Sequence, residues 1–502
     1  MTGLRRAFIL ATVDRYFVTV ISIVSLPILA RLLSPEEYGI AVLSGFVLAL
    51  AEPLRELGSQ AYLIQERELT REKVQTAFTV NTVMTVLLAA LIWAGGGRIA
   101  AFYGKPELIR YFEVALLGFL AGPFVAPVFA LLRRELAFGT VALINVTSAT
   151  LNAVLVITLA ASGFSFMSFA YATLGTALAG LTMSLLLRGE AYMYRPSLAA
   201  VRGLLRFGAF ETLAAVLEKT WENLPYLILG RFNGADTVGI YQRASLICTL
   251  PERVALQSVA SVSLPALAAE VRRGTGDIGA PFRRILACMT AVHWPAMICL
   301  ALLANPVVLV MLGERWTDAV PIVQTMALAL LLNIPAGLVY PMLAASGGNR
   351  HGAMIYVVFV PFGALIFALA ALWGVVAATA SLALAFLIKS AISIHYVRRY
   401  SSFTWTDLFD SQAGSAVVAL AAGAGPAAVL LFHGTTRISI AAGALGGGLA
   451  LIGFVVALRV TAHPLHLELA PLATHLRERI VKARLADRLR GRLLRVALRR
   501  AG

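Results

Sequence analysis

Apolar segments of about twenty residues recur along the whole 502-residue chain. A segment of that length crosses the ~30 Å hydrocarbon core of a bilayer as one α-helix. Only 14% of the residues are charged, whereas soluble proteins average about 25%. We therefore predict an all-α polytopic membrane protein with about fourteen transmembrane helices. The predicted spans are 7–33, 39–64, 76–98, 107–132, 140–162, 165–187, 207–230, 239–266, 285–312, 319–346, 352–372, 375–397, 413–432 and 438–459.

Part of the chain repeats at an offset of 198 residues. Because this offset covers six spans, both copies should cross the membrane in the same direction. The expected architecture is two six-helix lobes in a parallel pseudo-two-fold repeat, plus two extra C-terminal helices; transporters of this kind keep their substrate path between the lobes. Coincidence among abundant apolar residues is the alternative. The matching pairs are Leu26-Pro27 with Leu224-Pro225, Leu29 with Leu227, Pro53 with Pro251, and Arg55 with Arg253.

The distribution of positive charge predicts the topology. With the N-terminus in the cytoplasm, 29 lysines and arginines fall on the inner side and 6 on the outer side, so both termini should be cytoplasmic. The net charge of +16 is therefore mainly a topology signal, and no nucleic-acid partner is expected. The predicted domains are an N-terminal lobe (1–188), a cytoplasmic linker (189–206), a C-terminal lobe (207–399), two additional transmembrane helices (400–460) and a basic amphipathic cytoplasmic tail (461–502).

Basic residues inside the predicted spans are the strongest indication of function. A charge that faces lipid at the centre of a span costs about 2.5–3.5 kcal/mol, so these side chains should face the protein interior or water. Several fixed cations suit an anionic substrate, and phosphate is the anion that arginine commonly binds bidentately. The predicted substrate-binding residues of this cationic cavity are Arg15, Arg55, Lys219, Arg243, Arg253 and Lys389.

Glutamates accompany these cations. Glu211, Glu218 and Glu222 fall at positions i, i+7 and i+11 of one predicted helix, within about 40° of one another. Glu52 and Glu56 lie one helical turn apart in another span. These carboxylates could neutralise the cations of an empty site or carry a coupling proton or sodium ion. The alternative is that each pairs with a neighbouring base and simply holds two helices together.

Two prolines lie beside these charged residues, Pro53 in the second span and Pro251 in the eighth. A proline inside a helix removes a backbone hydrogen bond and bends the helix. We predict that both act as hinges for a gating motion; the alternative is that they only shape the bundle.

Four short motifs resemble bacterial polysaccharide flippases, a family within the multidrug/oligosaccharide/polysaccharide superfamily. These flippases transport O-antigen or exopolysaccharide repeat units. The resemblance extends over most of residues 1–400 and fades in the last two spans. The motifs are ARLLSPEEYG (30–39), LGSQAYLIQ (57–65), RRELAF (133–138) and LPYLILGRF (224–232).

The resemblance implies a flippase that moves an undecaprenyl-pyrophosphate-linked oligosaccharide from the cytoplasmic to the periplasmic leaflet of the bacterial inner membrane by alternating access. The family has no strict catalytic signature. Its cationic lining can be placed only by position in the spans, on Arg55, Lys219 and Arg253. Partners in keeping with this reading are the lipid-linked substrate, membrane lipids, and a polysaccharide polymerase or other assembly proteins.

Other functions remain open at the level of the sequence. A peptidoglycan-precursor flippase handles the same lipid pyrophosphate, whereas a drug exporter of the same superfamily would favour an acidic or aromatic lining. A membrane glycan polymerase or ligase usually keeps its catalytic groups in a large outer loop, and every predicted outer loop here is short. We therefore predict no catalytic residues, no cofactor and no metal site.

Overall fold

A computed structural model describes five main ranges of the chain and two short pieces at 338–339 and 342–343. Side chains are described from residue 13 onward, except at 210, 211, 349, 350 and 353. The predicted tail beyond residue 467 and the side chain of Glu211 therefore lie outside the described part. The main ranges are 2–188, 190–253, 279–333, 349–434 and 439–467.

The described residues form seventeen α-helices. Ten are long and apolar enough to cross a membrane, or eleven if a bent pair counts as one span, which confirms the all-α polytopic fold. The helices are α1 (Thr2–Leu32), α2 (Pro35–Glu56), α3 (Ser59–Gln65), α4 (Arg71–Tyr103), α5 (Glu107–Phe119), α6 (Gly122–Arg134), α7 (Phe138–Ala161), α8 (Met167–Arg188), α9 (Val201–Phe232), α10 (Ala235–Pro251), α11 (Gly279–Leu302), α12 (Ala304–Met311), α13 (Ala319–Leu330), α14 (Asn349–Ala371), α15 (Val375–Val397), α16 (Trp405–His433) and α17 (Ile440–Val460).

Local sequence explains where several helices begin. Ser34 caps α2: its hydroxyl accepts a hydrogen bond from the Glu37 amide at 3.3 Å, and the Glu37 carboxylate accepts one from the Ser34 amide at 2.8 Å. This reciprocal pair satisfies backbone groups that the first helical turn leaves free. Thr404 and Asp407 cap α16 in the same way. The predicted separation of two spans at Trp373-Gly374 is also confirmed, because Gly374 has a φ of 101° between α14 and α15.

Four predicted spans are broken instead of continuous within the described residues. The span 319–346 is one of them, since α13 ends at Leu330 and a turn follows at 331–333. The span 39–64 ends at Glu56, because Leu57 and Gly58 adopt left-handed φ values of 46° and 68° before α3 begins. The span 107–132 bends by 44° between α5 and α6, where Pro123 occupies the first turn of α6. The span 285–312 is interrupted at Leu303, before α12. Apolar content sets the length of a span, but turn residues inside it set its bends.

The helices pack as two lobes and a C-terminal pair. In the first lobe α7 packs against α1 and α8, and α5 packs against α8. In the second lobe α15 packs against α13 and α14, and α10 packs against α13. The two C-terminal helices, α16 and α17, pack against each other, and α16 also packs against α11. This arrangement agrees with the two lobes and two extra helices predicted from the sequence.

The lobes touch where α2 crosses α10, at a contact we call the first seam. A Cβ atom on Gly39 would lie 1.7 Å from the carbonyl oxygen of Ala235, and one on Gly239 would lie 2.1 Å from that of Pro35. Each glycine thus meets the carbonyl four residues before the other glycine. The crossing is reciprocal, as a parallel repeat requires. Gly39 and Gly239 are 200 residues apart, whereas an offset of 198 residues aligns Pro53 with Pro251.

A second seam joins the lobes at the opposite end of α2. A Cβ atom on Gly208 of α9 would lie 2.0 Å from the carbonyl oxygen of Leu57, and one on Gly58 would lie 2.7 Å from the Cα of Gly208. The backbones of the two lobes are therefore in contact at both ends of α2, and only residues without a side chain fit at these points.

Candidate functional site

A cavity of about 270 Å³ lies inside the second lobe. Four charged residues line it: Glu218 and Glu222 of α9, Glu252 just after α10, and Lys389 of α15. Its described lining thus carries three carboxylates and one ammonium group, and Lys389 is the one predicted substrate-binding cation among these lining residues. The other lining residues are Trp221, Pro225, Tyr226, Tyr241, Ser245, Thr249, Met326, Leu330, Asn333, Tyr356, Leu382 and Phe386.

Lys389 is the cationic centre of this cavity. Its ammonium nitrogen lies 5.4 Å from the centre of the Tyr356 ring and 5.6 Å from that of Phe359. At such distances the aromatic faces attract a cation. The lysine also interacts electrostatically with the three glutamates of the lining. A negatively charged group that entered the cavity would therefore compete with these carboxylates for one ammonium group.

Lys219 connects the charges of the two lobes. Its ammonium group donates to the Glu222 carboxylate at 2.7 Å, and it also interacts electrostatically with Glu52 of α2. Both Glu52 and Glu222 are exposed, so this group of charges is accessible. The predicted glutamate stripe is thus found for Glu218 and Glu222, while the side chain of Glu211 lies outside the described part.

Arg243 belongs to the first seam. It is only 2% exposed, and its guanidinium carbon lies 3.7 Å from the centre of the Tyr38 ring and 5.7 Å from that of Trp316. The Trp316 indole donates to the carbonyl of Ala30 at 2.8 Å. Arg243 therefore packs between aromatic rings where α1, α2 and α10 meet.

Arg253 and Arg15, two further predicted cations, are not among the lining residues of the two cavities described in this section. Arg253 lies two residues after the end of α10 and interacts electrostatically with Glu252 and with Tyr226. Arg15 is exposed on α1. Whether either of them binds substrate stays a prediction.

A second cavity, of about 400 Å³, lies inside the first lobe, and Arg55 is part of its wall. Its guanidinium stacks on the Phe119 ring at 4.7 Å and contacts Glu52 at 3.5 Å and Glu56 at 4.0 Å. Glu56 also accepts a hydrogen bond from Gln60 at 2.7 Å. The structure thus places Arg55 in one lobe and Lys389 in the other, each beside carboxylates.

Both predicted hinge prolines lie near the ends of their helices. The carbonyl of Pro53 accepts a hydrogen bond from the Leu57 amide at 3.1 Å, at the point where α2 ends. Pro251 is the last residue of α10. Pro53 is thus close to the second seam, and a hinge role for both prolines stays a prediction.

The polar wall of the first-lobe cavity, which α7 and α8 provide, was not predicted from the sequence. Asn145, Ser148 and Asn152 stand at i, i+3 and i+7 of α7, and Thr173 and Thr176 belong to α8. Five neutral polar residues on two apolar helices form a recognisable pattern, but attention to charge alone overlooks it. Within the described ranges no group of three or more histidines, cysteines and acids could hold a metal ion.

A family model described as polysaccharide biosynthesis protein matches residues 28–321. The lipopolysaccharide biosynthesis protein WzxC of Escherichia coli K12 is 26% identical over 318 residues, which cover 62% of this chain and 64% of WzxC. The teichuronic acid biosynthesis protein TuaB of Bacillus subtilis 168 is 25% identical over 330 residues, which cover 63% of this chain and 66% of TuaB. The chain thus matches slightly less than two thirds of the length of these two curated relatives.

Solved structures share the fold at low identity. The lipid II flippase MurJ in an inward closed conformation superposes with a TM-score of 0.73 at 12% identity, covering 90% of this chain and 98% of MurJ. An inward-facing multidrug resistance MATE family transporter of the MOP superfamily superposes with a TM-score of 0.61 at 15% identity, covering 78% of this chain and 97% of that one. The family model matches more than half of the residues of this multi-pass membrane protein, so the chain belongs to the polysaccharide biosynthesis protein family.

Proposed function

We propose that this protein is a flippase for lipid-linked oligosaccharides. It would move undecaprenyl-pyrophosphate-linked polysaccharide repeat units from the cytoplasmic to the periplasmic leaflet of a bacterial inner membrane, with both termini in the cytoplasm. The names of the relatives support the class of substrate, since they belong to lipopolysaccharide and teichuronic acid biosynthesis. The distribution of lysine and arginine supports the orientation.

The observation that carries the proposal is the pair of lobes, each with a polar cavity and joined to the other through glycine contacts at both ends of α2. Packed interfaces of this kind are bistable and do not deform gradually. Opening one seam while the other stays closed would expose the polar interior to one side at a time. Pro53 and Pro251 lie near the ends of the seam helices, where a change of angle would move the lobes most.

The charged side chains of the second lobe divide into two proposed roles. Lys219, Lys389 and Arg253 would bind the pyrophosphate, because an ammonium or guanidinium group gives short, strong hydrogen bonds to phosphate oxygens. Glu218 and Glu222 would neutralise these cations while the site is empty. Binding of the pyrophosphate would then displace the carboxylates, which could take up a proton or a sodium ion.

No chemical step is assigned to the protein, so we propose a transporter and not an enzyme. It would depend on the glycosyltransferases that build the lipid-linked unit and on a polymerase that consumes it. A second candidate function is export of lipophilic cations, as in drug exporters of the same superfamily. The acidic and aromatic lining of the second-lobe cavity favours it.

Transport in proteoliposomes tests the proposal. The substrate is the undecaprenyl-pyrophosphate-linked oligosaccharide extracted from the bacterium that carries this chain, and ethidium is the competing cationic probe. Wild type should flip the lipid, and Lys389→Met should reduce the rate about tenfold or more, as expected for a lost hydrogen bond to a charged group. Lys105→Met is the matched control, because Lys105 contacts Glu36 outside both cavities.

The outcomes separate the two functions. Transport of ethidium without the lipid would replace the flippase proposal by cation export. Equal rates for Lys389→Met and wild type would remove Lys389 from the substrate site. Glu222→Gln should flatten the pH dependence of transport if the carboxylates carry a coupling proton, and an unchanged profile would refute proton coupling through this residue.

A further inference from the structure

The first-lobe cavity has the size and the lining of a small-ligand site. Its volume is about 400 Å³, within the ~300–1,000 Å³ of typical ligand pockets, whereas the 270 Å³ of the second-lobe cavity falls just below that range. It lies between α2, the bent pair α5–α6, α7 and α8. These helices bring together residues from distant parts of the first lobe.

Neutral polar groups dominate two of its walls. Asn145, Ser148 and Asn152 project from one face of α7, opposite Thr173 and Thr176 of α8. Amides and hydroxyls both donate and accept hydrogen bonds, which matches a ligand that presents several hydroxyl groups. Polar side chains in a membrane span are costly unless they find partners, so such a concentration indicates a function.

The hydrogen bonds within this wall occupy only part of its capacity. Asn145 donates through its amide nitrogen to Asp14 of α1 at 2.8 Å. Asn152 donates in the same way to the Thr176 hydroxyl, at 3.3 Å. The amide oxygen of each asparagine can accept a hydrogen bond from a ligand hydroxyl. The wall is therefore held in position by its own bonds and can still bind.

Arg55 adds incompletely satisfied donors to the same cavity. Its Nε is buried without a hydrogen-bond partner among the described residues, and its contacts with Glu52 and with the Phe119 carbonyl are both long, at 3.5 Å. Because both contacts of its terminal nitrogens are long, a ligand oxygen that accepted a shorter hydrogen bond from one of them would be bound favourably. The guanidinium lies over Gly122, where a Cβ atom would approach its Nη1 to 2.3 Å.

The charge around Arg55 favours a neutral ligand over an anion. Glu52 and Glu56 lie 3.5 Å and 4.0 Å from its guanidinium and offset its positive charge. Phe129 supplies an aromatic wall to the cavity, against which the apolar face of a sugar ring can pack. A single sugar combines all of these requirements, since it offers hydroxyls at its edge and C–H groups on its face.

We propose that the first-lobe cavity binds one neutral sugar residue of the transported unit, while the pyrophosphate stays with the cations of the second lobe. This inference rests on the proposed function, and it assigns Arg55 to sugar instead of pyrophosphate. The two lobes would then read different parts of the same substrate. The identity of the sugar in this cavity would decide which repeat units are accepted.

Ligand-observed saturation-transfer NMR on the purified full-length protein in detergent tests the assignment, with glucose, galactose and glucuronate as probes. Wild type should give a saturation signal with at least one neutral hexose, and glucuronate should not bind more tightly. Asn152→Leu removes part of the polar wall. Gly180→Leu fills the cavity, and a Cβ atom on Gly180 meets nothing within 4 Å, so this variant should fold. Each should weaken the signal about tenfold.

Thr150→Val is the matched control on α7, because Thr150 is exposed and its hydroxyl donates to the Val146 carbonyl at 2.8 Å. It should leave the signal unchanged. The proposal is overturned if wild type gives no hexose signal, if both cavity variants bind as wild type does, or if inorganic phosphate displaces the hexose. Hexose binding without lipid transport would refute the flippase function alone, whereas transport without hexose binding would refute this inference alone.

Discussion

The reciprocal glycine contact at the first seam predicts that a single methyl group will force the lobes apart. In Gly39→Ala the new Cβ would lie 1.7 Å from the Ala235 carbonyl oxygen, while ordinary contact needs 3.4 Å or more. The helices must therefore separate by about 1.7 Å at the crossing. Overpacking of this kind costs about 1–3 kcal/mol. The state with a closed first seam should lose that stability, which shifts the equilibrium about fivefold to 150-fold toward the open state.

Distance measurements between spin labels test this prediction. Labels at Leu32→Cys and Phe232→Cys, in a chain whose three native cysteines are replaced, report the separation of α1 and α9 next to the first seam. Gly39→Ala should lengthen this distance or add a longer population. Gly45→Ala is the matched control on α2, because its Cβ meets nothing within 4 Å; it should keep the wild-type distance. An unchanged distance in Gly39→Ala would show that the seam relaxes locally and would refute the reasoning.

Two further predictions concern buried basic groups. Burial lowers the pKa of His463, whose ring nitrogen accepts a hydrogen bond from the Leu465 amide at 3.1 Å. Because the unfolded chain binds a proton at this imidazole more readily, the stability of the fold should decrease as the pH drops below about 6.5. His463→Gln should reduce that loss in thermal unfolding. Arg243→Met should leave the unfolding temperature unchanged or raise it, since apolar replacement of a buried charge is neutral or stabilising by about 1–4 kcal/mol. Arg243→Lys should lower the unfolding temperature, because the stacking on Tyr38 is lost.

Each of these two predictions would be contradicted by a specific result. Equal losses of stability in wild type and His463→Gln between pH 7 and pH 5.5 would show that His463 is not the titrating group. Arg231→Met is the control for Arg243, because Arg231 is an exposed arginine that also stacks on a ring, that of Phe102 at 5.1 Å. A large fall in the unfolding temperature of Arg243→Met alone would mean that the buried guanidinium stabilises the seam strongly.

Hydropathy predicts the spans well because burial in lipid depends on composition averaged over many residues. It does not predict the breaks at Leu57-Gly58, between α5 and α6, or at Leu303, since each depends on a few turn residues that hardly change the average. The crossing at Gly39 and Gly239 has a sequence signal, the offset of 200 residues. Small apolar residues are so common here that this signal cannot be recognised without the structure.

The site was predictable only where its residues are close in sequence. Lys219 and Glu222 stand three residues apart on one helix, so their pairing follows from helical geometry. Arg55 and Asn152 come from different helices, and only tertiary packing brings them to the same cavity. The prediction that six cations line one cavity stays a prediction. Arg55 lines the first-lobe cavity, Lys389 lines the second-lobe cavity, and Arg243 lies at the first seam.

The reciprocal seam also limits how a lobe of this chain can be exchanged for that of a relative. Each lobe supplies one glycine and one carbonyl to the same crossing, so neither half of the coding sequence can change there independently. A chimera that takes its first lobe from one relative and its second from another will fit only if both parents are small at the positions of Gly39 and Gly239. Exchange of cavity residues carries no such condition, so the linings of the two cavities can be changed while Gly39 and Gly239 are kept as a matched pair.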